Sequence, residues 1–257
     1  MNAVIEKLKK LIALGGGDVA ALNVICRNRR ILTGNEDVVQ EGRRCYSVYL
    51  ILKGVGFRYK YLPDGRRQIL GFLLPGDICD TQFLVSDRSD HNVALLSGTE
   101  VAAVPIQELK KVLADHPNIE QALLRATLVE IAIMREWLLN IGQRGARHKL
   151  AHFFCEVAAR LRCLGEEQAD GSFFLPVTQI ELADATGLTV VHVNRCLQSL
   201  RREEVVIWTR RHFRILNWDC LQKLAGFNDS YLKLQAPWPG NAGRTLERAK
   251  GLELQLV

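Results

Sequence analysis

The sequence predicts an α+β chain: an N-terminal antiparallel β-roll, a long connecting helix and a C-terminal winged helix. Three observations predict it. Between about Arg30 and Val104, short β-prone runs follow one another, each bounded by Gly, Asp or Pro turns. From Asn118 to about Ile141 the apolar residues recur at alternating steps of three and four, the mark of one long helix. The stretch Thr178–Leu200 reads as two short helices joined through Gly187.

In order along the chain, Met1 to Leu14 interleaves Glu6, Lys7, Lys9 and Lys10 with apolar residues, a short amphipathic helix rather than a signal peptide. Residues 1–30 as a whole are expected to hold one or two short helices around Gly15-Gly16-Gly17. Tyr46–Leu52 is a strand ending at Lys53-Gly54, and Phe57–Leu62 alternates apolar or aromatic with basic residues as a half-buried strand does. Pro63-Asp64-Gly65 is a turn signal, with Gln68–Leu73 continuing beyond it, and Pro75-Gly76-Asp77 is another. Val93–Leu96 and Val101–Val104 flank Ser97-Gly98 and are expected to pair. Ile106–Ala114 is a short helix ended by His116-Pro117.

The long helix that follows carries Leu124, Leu128, Ile131, Met134, Leu138 and Ile141 on one stripe. Neither flanking domain easily covers such a stripe, so it predicts a two-helix homodimer seam. Gly142 and Gly145 mark a hinge, and Arg147–Leu164 is the first helix of the C-terminal domain. Gly165–Gly171 is a polar loop, and the helix Trp218–Gly226 closes that domain. The organisation expected is residues 1–116 as the roll with its N-terminal helices, 117–143 as connecting helix, 144–230 as winged helix, and 231–257 as a mobile tail.

Each position of the two-helix motif has a physical reason. Ala183 is small where the helices approach, Gly187 tolerates a positive φ, and Thr189 is a good N-cap. Val193, Cys196, Leu197 and Leu200 form an inner face that packs on Ile180 and Leu182. Outside lie Val191, Asn194, Arg195, Gln198 and Arg202, the groups a groove-reading helix needs. Val205–Trp208, Thr209-Arg210-Arg211-His212 and Phe213–Leu216 then make a basic-tipped hairpin, the wing. Residues 195–214 hold six Arg against two Glu, a local excess suited to phosphates. The DNA-contacting set is therefore Thr178, Gln179, Thr189, Val190, Val191, His192, Asn194, Arg195, Gln198, Arg202, Arg210 and Arg211. Cys196, on the inner face, reads as a small hydrophobe rather than a redox switch.

The bulk numbers agree with a globular chain: 257 residues, 48% hydrophobic, 24% charged, net charge +6. The charge signal is local rather than global. Seven scattered cysteines, with no Cys-x-x-Cys, argue against a disulfide framework and for a reducing compartment. No apolar run is long enough to span a membrane, and a cytoplasmic protein is expected. No nucleophile elbow, phosphate-binding glycine loop or metal-ligand cluster is present, so no enzyme, no metal and no cofactor are expected.

Taken together, Val48–Gly54, Pro63-Asp64-Gly65-Arg66-Arg67-Gln68-Ile69, Pro75-Gly76-Asp77 and the helix-turn-helix resemble the Crp/Fnr family of bacterial transcription regulators over roughly residues 20–230. The resemblance implies a cyclic-nucleotide-binding-like roll, a homodimer on a palindromic operator in double-stranded DNA, contact with RNA polymerase, and a signal received at the roll. It also places a ligand pocket at Gly76, Asp80, Thr81, Arg88, Ser89 and Asp90. Cyclic-nucleotide-binding members carry Gly-Glu soon after Pro-Gly-Asp and an Arg with Ser or Ala further on. Here Asp80-Thr81 and Ser89-Asp90 stand there, and Arg88 would serve only with a one-residue shift. Two Asp beside a phosphate repel it, so cyclic AMP is not the expected signal. The effector stays open: a cyclic nucleotide and a sensor working through a protein partner are the alternatives. Cys26, Cys45 and Cys79 are too widely spaced for the family's iron–sulfur cluster, and His91 is the sole candidate for its haem ligation. Many members place Arg-Glu at Val190-Val191, whereas the Arg at Arg195 is kept. The operator is therefore expected to differ from the family's best-known palindromes, with A·T preference under the two valines.

Overall fold

The computed structural model describes residues 2–86, 88–209 and 211–233. Helix α1 (Ala3–Leu11) is capped by Asn2, whose side chain accepts from Val4 N–H, and α2 (Gly16–Ile25) follows. The roll is two antiparallel sheets. One has the order β1 (Arg29–Ile31), β7 (Glu100–Pro105), β3 (Ser47–Lys53); the other β2 (Glu36–Val39), β6 (Asn92–Leu95), β4 (Gly56–Tyr61), β5 (Arg67–Leu73). The two sheets and the helices packed on them bury Val48, Leu50, Ile51, Val93, Leu95, Val101 and Val104 in one core.

The expected pairing of Val93–Leu96 with Val101–Val104 does not form. β6 pairs with β2 and β4, while β7 pairs with β1 and β3. The Ser97-Gly98 turn, with Gly98 at φ 85°, crosses the chain from one sheet to the other instead of folding it back. The expected turn at Pro63-Asp64-Gly65 joins β4 to β5, with Tyr61 opposite Arg67 and a register shift between Arg58 and Tyr59.

Helix α3 (Ile106–Asp115) leads through His116 into α4 (Pro117–Gln143), which starts with Pro where its missing N–H costs nothing. At 27 residues α4 is about 40 Å long. Its first turns enter the roll core through Ile119, Ala122 and Leu123, and its last turns bury Trp137 and Asn140. Between them Leu124, Leu128, Ile131, Met134 and Leu138 stand exposed on the chain's surface, with Ile141 half-buried.

Of the two glycines expected to mark a hinge, only Gly145 stands at a break between helices. Gly142 is inside α4, and the chain turns only at Arg144 and Gly145, the N-cap of α5 (Ala146–Cys163). A helix tolerates a glycine at modest cost, so Gly142 does not by itself stop it. The C-terminal domain continues with β8 (Ser172–Phe174), α6 (Gln179–Thr186), α7 (Val190–Arg202), β9 (Val206–Trp208), β10 (His212–Ile215) and α8 (Trp218–Ala225). Its sheet runs β8-β10-β9. The tail was expected from residue 231, yet Tyr231 donates to the buried Glu156 carboxylate and Leu232 is buried. The rest of that segment, 234–257, and Asp87 and Arg210 lie outside the described residues.

The two domains meet along a continuous seam. Phe72 of β5 packs against Trp137 and Phe153, with ring centroids 6.0 and 5.3 Å away. Arg67 lies over the Phe57 ring at 5.1 Å and pairs with Asp184 of α6 at 2.8 Å. Arg160 of α5 donates to the Phe72 carbonyl and to Asp77, which also pairs with Lys7. Burial would raise the Asp77 carboxyl, but Lys7 and Arg160 outweigh it and hold it below its ordinary value.

Candidate nucleic-acid interface

The helix-turn-helix is fixed by its caps. Thr178 and Glu181 form a reciprocal capping box: Thr178 Oγ1 accepts from Glu181 N–H at 3.2 Å, and Glu181 Oε2 accepts from Thr178 N–H at 2.6 Å. Helix α6 ends at Gly187, whose φ of 65° suits glycine. Lys149 of α5 donates to the Thr186 carbonyl at 3.2 Å, a buried cation at a helix C-terminus. Thr189 then caps α7 by accepting from His192 N–H. Val193, Leu197 and Leu200 are buried under α7 against Leu182, Ala183 and Ala185.

Ile180 is a correction to the expected inner face: it is 59% exposed, because α6 turns Leu182 and Ala183 inward. Ile180 therefore extends the outer surface beside Gln179. Cys196 is only half-buried, at the edge of the inner face.

The outer face gathers most of the expected contact set. Val190, Val191, His192, Asn194, Arg195, Gln198 and Arg202 are exposed along α7. Asn194 donates to Gln179 Oε1 at 3.3 Å, so the two amides form one bridged pair across the helices. Thr178 and Thr189 are present at the same edge, with their hydroxyls engaged in capping. Arg211 is exposed at the tip of the β9–β10 hairpin, and Arg210 beside it lies outside the described residues.

The expected ligand pocket is brought together only in part. Gly76, at φ 85°, is placed against α1, where a Cβ would come within 2.9 Å of the Ala3 carbonyl. Arg88 turns outward to the Gly42 carbonyl at 2.8 Å. Asp80, Thr81, Ser89 and Asp90 do converge, and the fold adds three residues the sequence did not single out for the pocket: Arg58, Gln82 and His91. The Gln82 side chain donates to Asp80 at 2.7 Å and Asp90 at 3.1 Å, and Ser89 Oγ donates to the His91 carbonyl. Thr81 touches Thr127 of α4 at 3.2 Å. Arg58 donates to the carbonyls of Ile78 and Cys79 and pairs with Glu130 of α4. Burial raises the Asp80 carboxyl, against the pull of Gln82, His91 and Arg58. The hydrogen bond from His91 lowers Asp90. The one sequence signal for this cluster was the spacing Asp80-x-Gln82 and Asp90-His91, which has meaning only once β6 and the segment after β5 are adjacent.

Residues 148–224 match the Crp-like helix-turn-helix domain, and residues 29–116 match the cyclic nucleotide-binding domain. The chain is similar to the nitrogen fixation regulation protein FixK of Bradyrhizobium diazoefficiens, 30% identical over 179 residues, 69% of this chain and 74% of the relative. It is 29% identical over 212 residues to the transcriptional activator protein FnrL of Cereibacter sphaeroides, 81% of this chain and 84% of that one. The structure of FixK2 from Bradyrhizobium japonicum shares the fold with a TM-score of 0.68 at 25% identity, covering 78% of this chain and 98% of that one. Among the described residues no helix is long and apolar enough to cross a membrane.

Proposed function

The chain belongs to the Crp/Fnr family of transcription regulators, and from that premise we propose how it works: as a homodimer that reads a palindromic operator with two copies of α7. It is a DNA-binding regulator by family. The observation that carries the dimeric reading is the row Leu124, Leu128, Ile131, Met134 and Leu138, exposed on α4 of the single chain at helical spacing. Pairing α4 with its copy covers that row and sets two recognition helices about one DNA turn apart. Residues 1–116 receive the signal, 117–143 pair the subunits and transmit it, and the winged helix from 144 onward reads DNA. Contact with RNA polymerase follows the family's mode of action. Its place is the cytoplasm, and it performs no catalysis.

Within the reading surface, Arg195 hydrogen-bonds a guanine edge, and Asn194, Gln179 and Gln198 flank it. Val190 and Val191 lie against thymine methyls. Thr178, Thr189, Arg202, Arg210 and Arg211 contact phosphates, and His192 lies beside them. Cyclic AMP is not the signal: Asp80 and Asp90 present carboxylates where a phosphate would sit, and the nearby guanidinium of Arg58 is committed to Glu130 and two carbonyls.

Sedimentation velocity of the full chain beside the double variant Leu128→Glu, Leu138→Glu tests this reading. A dimer that becomes a folded monomer, with operator affinity down at least 100-fold, is the expected result. A wild-type chain that is monomeric when bound to DNA would refute it.

A further inference from the structure

The group formed by Asp80, Asp90 and His91 is built like a cation site rather than an anion site. One ligand atom from each lies within 4.8 Å of the others. His91 Nδ1 is 2.7 Å from Asp90 Oδ1, the geometry of a ring N–H donating to a carboxylate. That bond leaves the lone pair on Nε2. Nε2 is buried, with no hydrogen-bond partner, in a side chain belonging to a residue only 9% exposed. It points at Asp80 Oδ2, 3.6 Å away. That separation is too long for a hydrogen bond. It is the separation of two donors bound to one ion: at ~2.1 Å each, ligands at a near-tetrahedral angle stand roughly 3.4–3.6 Å apart. Asp80 Oδ2 also accepts from Gln82, which fixes the carboxylate and leaves its other lone pair for an ion.

We infer that His91 Nε2 and Asp80 bind a divalent transition-metal ion, with Asp90 orienting the imidazole. One imidazole with carboxylate oxygens suits Zn²⁺, Mn²⁺ or Fe²⁺, with water in the remaining positions. The exposed Asp90 lies at the mouth and gives the ion its entry. The inference rests on the regulator reading above and deepens it, because the site abuts two polar contacts between the roll and α4. Thr81, next to Asp80, touches Thr127, and Arg58, in the electrostatic field of Asp80, pairs with Glu130. An ion that neutralises Asp80 changes the pull on Arg58 and so bears on the dimer helix.

The test uses tag-free full-length dimer stripped with chelator. Equilibrium dialysis with Zn²⁺, and separately with Mn²⁺, is expected to load one ion per chain with at least one of them. Asp80→Asn and His91→Phe, checked for folding by circular dichroism, are expected to weaken loading at least tenfold. X-ray absorption of the Zn²⁺-loaded wild type keeps the test independent of the variants: it should read one imidazole and oxygen neighbours without sulfur. No loading at millimolar ion, loading unchanged in both folded variants, or a sulfur-bound ion each overturns the site. Operator affinity is measured on the ion-free protein first, so loss of the regulator reading is seen separately. Ion loading is then expected to shift that affinity at least threefold, and an unchanged affinity overturns the signalling role.

Discussion

Arg195 on α7 and Arg58 on β4 are two guanidiniums on two expected functional faces, and the fold treats them oppositely. Arg195 stands exposed on a helix whose caps and buried inner face are complete without it. Arg58 is drawn between β4 and α4, donating to two carbonyls and pairing with Glu130. The same contrast runs through both regions. The winged helix uses Thr178, Glu181, Thr189 and Lys149 to satisfy its own backbone and leaves its outer polar groups for a partner. The roll spends Asp80, Gln82, Ser89 and Asp90 on one another, and Arg58 on two carbonyls and Glu130. An open polar surface on a rigid base fits a large polyanion. An inward network answers only to something small enough to enter it.

The largest effect should come from the seam that holds the two regions together. Trp137→Ala removes the ring between Phe72 and Phe153 and also the Nε1–H donated to Glu156. Urea unfolding should show a loss of about 3–5 kcal/mol. A loss under 1 kcal/mol would mean that the two regions are not packed as one body. Next, Arg195→Ala should cost about 1–3 kcal/mol per half-site in fluorescence anisotropy with operator DNA, with little change on unrelated duplex. Equal loss on both would make Arg195 a phosphate contact and blur the contrast.

A smaller effect is set by pH. Burial of the His152 ring, helped by the Arg144 guanidinium, lowers its pKa to about 3, although Glu136 Oε2 lies 3.5 Å from Nε2. The burial penalty outweighs that carboxylate, so the folded ring is neutral. The unfolded chain takes up a proton near pH 6.5, which the folded chain refuses until about pH 3. Stability from this group is therefore complete above about pH 6.5 and falls by ~1.4 kcal/mol per unit as the pH drops below it. His152→Phe, which keeps an aromatic ring beside Tyr231 and Phe227, should flatten the pH dependence of the unfolding midpoint by one proton. An unchanged slope would show that His152 is already charged. Smallest is Thr178→Ala, which breaks the capping box and should cost about 1 kcal/mol in stability.

The winged helix was legible in the sequence because its signals are local. A cap, a glycine and an inner apolar face sit within 23 residues, Thr178 to Leu200, and each acts on its neighbours. Even there, Ile180 faces out rather than in, since helical spacing gives a face but not which of its neighbouring residues the turn points inward. The roll was legible as short strands and turns, not as pairings: nothing in Ser97-Gly98 tells a hairpin from a crossover between sheets. The seam was invisible. Arg67 and Asp184 are 117 residues apart, and Phe72, Trp137 and Phe153 come from three elements. The Asp80–His91 cluster is hidden for the same reason: in the sequence its two acidic members show only that a phosphate would be repelled.

The most direct test of the account is selection of bound sequences from random duplex DNA by the full-length protein, repeated with Arg195→Ala. The account predicts a two-fold palindrome with half-site centres about 10–10.5 base pairs apart. Each half-site should carry a guanine whose enrichment disappears in Arg195→Ala, next to A·T pairs under Val190 and Val191. Enrichment of no palindrome, or of the same palindrome with its guanine intact in the variant, would contradict it.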